Sequence, residues 1–119
     1  MANIYKNSKK DLTTNTVTTL YTVPSNSRAI VKSLLVSDDS GSGSTLTVDL
    51  FNGNPASASK FTLFKTKAVS SNETLQFITE PLVMEENEVL QVTAADADRL
   101  FVVASILEIN REDMITWDN

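Results

Sequence analysis

The chain has 119 residues (13.0 kDa), 41% of them hydrophobic, with a net charge of −5 and neither Cys nor His. It is long enough for one domain, residues 1–119, with its own core, and it excludes disulfide frameworks, thiolate metal sites and histidine-based acid–base or metal chemistry. Thirteen Ser, fourteen Thr and ten Asn against three Gly and three Pro, with no helical periodicity, predict an all-β domain.

In chain order, the first ten to twelve residues combine Ile4 and Tyr5 with Lys6, Lys9 and Lys10 and show no sustained alternation, so residues 1–12 are expected to form an extended arm. Period-two alternation starts at Thr16–Val23, with Val17, Thr19, Tyr21 and Val23 on one face, and stops at Pro24-Ser25-Asn26-Ser27. Arg28–Ser37 is the next strand. Ile30, Lys32, Leu34 and Val36 alternate with Val31, Ser33, Leu35 and Ser37, so the core covers one side and a partner or an arm of the chain covers the other. The loop Asp38–Ser44 holds two of the three glycines, and Thr45–Phe51 follows with Leu46, Val48 and Leu50 inward.

After the turn at Asn52-Gly53-Asn54-Pro55, strands are expected at Lys60–Val69, Glu73–Thr79, Leu82–Met84, Val89–Ala94 and Leu100–Ile109, the last of them central and buried on both faces. This is about eight strands at the spacing of an antiparallel β-sandwich or jelly roll. Residues 110–119 form a second expected arm, polar except for Met114, Ile115 and Trp117, the only tryptophan. Anchors of this kind are expected to dock on a neighbour, against the alternative that both arms pack on their own domain. Ile4, Tyr5, Lys6, Lys9, Lys10, Met114, Ile115 and Trp117 are therefore the candidate interface residues.

Charge is uneven. Residues 1–67 carry eight Lys/Arg and four Asp/Glu, and residues 68–119 carry two and eleven, an arrangement that allows copies to associate basic surface to acidic surface. A net negative chain opposes nucleic-acid binding, and the aromatic–basic pattern of Lys60, Phe61, Phe64, Lys65 and Lys67 does not outweigh it. No apolar stretch is long enough to span a membrane, and no secretory signal is expected.

Chemistry is sparse. Asp38 and Asp39 sit in an oxygen-rich loop but lack the ligand spacing of a calcium loop. Glu85, Glu86 and Glu88, like Asp96 and Asp98, fall in predicted turns, where acids solubilise an edge. A serine nucleophile lacks a paired base, and Gly41-Ser42-Gly43 precedes a strand rather than a helix. No enzymatic activity, cofactor or metal is expected.

The phrases Met-Ala-Asn-Ile-Tyr-Lys-Asn at 1–7, Thr19-Leu20-Tyr21-Thr22-Val23-Pro24, Ala29-Ile30-Val31-Lys32-Ser33, Leu63-Phe64-Lys65, Pro81-Leu82-Val83 and Val102–Ile109 resemble small virion structural proteins of tailed bacteriophages. The resemblance implies a many-copy β-sandwich or jelly-roll subunit in the virion, assembled in the host cytoplasm. It would be a homo-oligomeric decoration or cement protein bound to itself and to the major capsid protein or another virion protein. The alternative is a neck, tail, baseplate or fibre subunit, with receptor or glycan binding through Tyr21, Phe51 or Trp117.

Overall fold

The computed structural model describes residues 3–110. These residues contain nine strands: β1 (Asn3–Leu12), β2 (Thr18–Thr22), β3 (Ser27–Asp38), β4 (Ser44–Phe51), β5 (Lys60–Val69), β6 (Thr74–Ile78), β7 (Leu82–Met84), β8 (Val89–Ala94) and β9 (Leu100–Asn110). The pairing is nested. β4 pairs with β5 next to it in sequence, β3 with β6 and β7, β2 with β8, and β1 with β9, all antiparallel. The chain is thus one long hairpin, bent over so that successive strand pairs alternate between two layers. When it closes, β9 also pairs with β3, and β8 with β4. The result is a five-stranded sheet ordered β1-β9-β3-β6, with β7 also on β3, facing a four-stranded sheet ordered β2-β8-β4-β5. This is an antiparallel sandwich with jelly-roll connectivity, in which Pro81 divides one strand of the wrap into β6 and β7.

The core lies between the layers. Val31, Leu34, Val36, Val102 and Ala104 on one sheet meet Leu46, Val48, Leu90 and Val92 on the other, all fully buried. Phe64 on β5 and Phe77 on β6 close one side of the sandwich, with ring centroids 5.2 Å apart and a tilt of 57°. On the opposite side the Ser8 hydroxyl donates to the Leu20 carbonyl, tying β1 to β2.

Bulges change which residues face inward, two of them in β5 opposite β4 and one in each of β3, β2 and β6. Lys32 is an extra residue in β3 between the pairs Val31–Ile106 and Ser33–Ser105. The inward set therefore runs Ala29, Val31, Leu34, Val36 and Asp38, and the strict alternation expected for Arg28–Ser37 fails at that point. In β2 the extra residue is Leu20, so Leu20 and Tyr21 are both buried, while Val17, expected to share a face with Tyr21 and Val23, is 58% exposed. In β6 it is Phe77, buried beside Ile78. Strands β5, β7 and β8 have the expected limits, and Leu46 and Val48 point inward as expected.

The loops at one end are organised by Asp38. Its carboxylate accepts the Ser40 hydroxyl (2.6 Å) and the backbone N–H groups of Ser40 (2.9 Å), Gly43 (2.9 Å) and Asn72 (3.0 Å). These donors, the Ser40 hydroxyl foremost, hold the carboxyl well below the usual carboxylate range against the opposing effect of burial. Both oxygens are engaged in fastening the β3–β4 loop to the β5–β6 turn. Among the described residues no group of three or more Asp, Glu, His or Cys side chains is placed to hold a metal ion.

Candidate assembly surface

The largest departure from the sequence expectation concerns the N-terminal segment. Residues 3–12, expected as an arm extending from the sandwich, form strand β1, in unbroken register with β9 from Asn3–Ile109 to Leu12–Leu100. An edge strand gains its ladder from one neighbour and does not need an apolar face. Leu12 is the one buried residue in β1, which is why the segment reads as irregular. The other expected arm begins at Asn110, the last residue of β9; Met114, Ile115 and Trp117 lie outside the described residues.

The structure gathers Ile4, Tyr5, Lys6, Lys9 and Lys10 on this edge strand, and its pleat divides them. Ile4, Lys6 and Lys10 stand opposite Glu108, Ile106 and Val102 on the inner side, and Tyr5 and Lys9 opposite Leu107 and Val103 on the outer side. Ile4 is 47% exposed and Tyr5 73%. An open depression of about 450 Å³ runs beside Lys9, Lys10 and Asp11 on β1 and Phe101, Val102 and Val103 on β9.

Behind the edge lies a polar cluster that sequence reasoning did not find. Glu108 is buried although charged. The Tyr21 hydroxyl donates to its carboxylate, and the Lys6 ammonium lies 3.5 Å from the same oxygen and 5.7 Å from the centre of the Tyr21 ring. One carboxylate thereby links β1, β2 and β9. Its only signal in the sequence is a Glu within a mostly apolar strand, and its partners are 87 and 102 residues away.

Burial, then the hydrogen bond to Glu108 and its negative charge, push the Tyr21 hydroxyl well above the ordinary tyrosine value. A folded-state pKa raised above the unfolded value of about 10 gives stability that is complete below pH ~10 and lost as pH rises, because the unfolded chain ionises first. Tyr21→Phe is expected to cost about 1 kcal/mol at neutral pH. In urea titrations the gap between wild type and variant should narrow above pH ~10. A constant gap would show that the hydrogen bond does not govern the ionisation.

The outer face of the five-stranded sheet is the second part of the surface. Register aligns Tyr5 of β1 with Leu107 of β9, Leu107 with Ile30 of β3, and Ile30 with Val83 of β7, an apolar row across four strands. Leu107 and Ile30 are half-buried, and Val83 at the far end is 59% exposed. Ile109 is the next outward residue of β9. One side of the Arg28–Ser37 strand was expected to be covered by the core and the other by a partner or an arm. The side away from the core carries Ile30 and Leu35, which only the bulge at Lys32 brings onto one face.

Tyr21 and Phe51, named from the sequence as possible glycan-stacking residues, are both buried in the structure, at 7% and 8% exposure. Neither offers a ring face to a sugar.

No protein-family model and no curated protein matches the sequence. Solved structures do share the fold. The chain is similar to a protein of Bacillus endospore appendages, described as disulfide-linked pili (TM-score 0.53, 11% identity, 92% of this chain and 88% of that one). It is similar to a chain from the acid-stable capsid of a Helicobacter pylori bacteriophage (TM-score 0.51, 13% identity, 93% and 90%). It also matches a chain of infectious bursal disease virus (TM-score 0.52, 13% identity), where 90% of this chain covers 32% of the other. The class these likenesses define is the antiparallel two-sheet sandwich found in capsid and pilus subunits.

Proposed function

We propose that the protein is a non-enzymatic structural subunit of a phage virion, a capsid decoration or cement protein that associates with its own copies and with the shell. The observation that carries this reading is the surface on β1, β9, β3 and β7, where an open sheet edge adjoins an apolar row that the core leaves unused. The fold is shared over nearly the full length of both the phage capsid chain and the pilus chain. The absence of Cys supports the capsid reading over a disulfide-linked pilus. Lys9 and Lys10 on β1, against the acidic second half of the chain, supply charges that align subunits without defining a nucleic-acid groove.

Copy number in purified particles tests the proposal. On the order of hundreds of copies per particle supports shell decoration under icosahedral repetition. A few to a few dozen supports the neck, tail, baseplate or fibre alternative, and absence from the particle overturns the virion role. Deletion of 110–119, or Trp117→Ala, is expected to weaken association with the particle while the sandwich stays folded. Full retention of both variants would remove the C-terminal segment from the interface.

A further inference from the structure

We infer that the row Tyr5–Leu107–Ile30–Val83 on the outer face of the five-stranded sheet is the seat for residues 111–119 of a neighbouring copy, with Trp117 as its main anchor. The inference rests on the oligomeric reading above and specifies the contact. The row is continuous across β1, β9, β3 and β7 because four strands are in register, and its two ends are its most exposed members, Tyr5 at 73% and Val83 at 59%. An apolar strip open along its length accommodates an extended segment bearing a few large apolar residues.

Residues 111–119 fit that description in composition and position. They follow directly on Asn110, one residue past the outward-facing Ile109, and contain Met114, Ile115 and Trp117. Ile115 and Trp117 share the odd-numbered parity of Leu107 and Ile109. The segment includes neither Gly nor Pro to turn it back onto its own sheet. A nine-residue segment in extended form spans about 30 Å, long enough to reach the row of an adjacent copy.

Trp117 is the only tryptophan, so intrinsic fluorescence of the full chain reads its environment directly. In wild type the emission is expected to shift to shorter wavelength, and acrylamide quenching to fall several-fold, as protein concentration rises and oligomers form. Val83→Lys places a charge at an exposed end of the row without touching the core. It should leave the circular dichroism spectrum unchanged and return the emission to that of a solvated indole. Mixing is the decisive step. Trp117→Ala contributes an intact face and no signal of its own, so adding it to Val83→Lys should restore the shifted emission from the Trp117 of the latter.

Three results would overturn the inference. One is solvated emission in wild type at every concentration. Another is wild-type emission from Val83→Lys alone, which removes the row as the seat. The third is failure of Trp117→Ala to restore the shift, which makes the contact internal to one chain. In each case, oligomers of unchanged mass in sedimentation would leave the structural function standing and remove only this contact.

Discussion

Gly43→Ala is expected to destabilise the protein by roughly 2–4 kcal/mol, a fall in melting temperature on the order of 10 °C for a domain of this size. Gly43 has φ +73°, a left-handed backbone that side chains with a Cβ rarely adopt. Local strain is the smaller part of the expected effect. A Cβ at this position would lie 2.9 Å from the Val69 carbonyl oxygen and 3.3 Å from the Ser71 backbone nitrogen. Both neighbours are main chain and cannot swing aside as a side chain does. Moving them would disturb the Gly43 N–H bond to Asp38 and the joint between the β3–β4 loop and the β5–β6 turn. Gly41 provides the control, with φ +81° but only the Asn72 side chain near its added Cβ, at 3.7 Å. Gly41→Ala should therefore cost only about 1–2 kcal/mol, the conformational part. Equal melting temperatures for the two variants would show that backbone crowding at Gly43 is not the cause.

Leu90→Ala is expected to cost about 3–5 kcal/mol, with the midpoint of urea denaturation falling and its slope unchanged. Leu90 is fully buried on β8, paired with Tyr21 on one side and Leu50 on the other, and its side chain faces the opposing sheet. Both neighbours are held by ladder hydrogen bonds, so the space left by the missing atoms cannot readily close. Leu63→Ala on the edge strand β5 removes a side chain that is 36% exposed and is expected to cost less than about 1 kcal/mol. Similar losses at both positions would mean that the core does not lie between the two sheets at Leu90.

Much of the fold was legible because the signals involved are local. Alternation and turn chemistry marked β5, β7 and β8 to the residue, and Asn26, Asn72 and Asn87 take left-handed conformations in turns where the sequence placed breaks. The segment with Ile4, Tyr5 and the lysines was correctly singled out as having no place in the apolar alternation. Its conformation was not legible, because an edge strand that keeps one buried residue has no pattern to read. The Tyr21–Glu108–Lys6 cluster was hidden for a related reason. Its members are far apart in sequence, and each alone is an ordinary strand residue.

By itself, the sequence determined an all-β chain without thiol or imidazole chemistry and the limits of most strands. The tertiary structure alone decided which strands are neighbours, and it drew residues 3–12 into the five-stranded sheet as its edge. It also decided which residues share a face. Period two specifies a side only relative to the next residue, and a single inserted residue such as Lys32 exchanges the two sides for the remainder of the strand. Pairing across the whole length of the chain fixes where that exchange happens, and with it the outward row from Tyr5 to Val83.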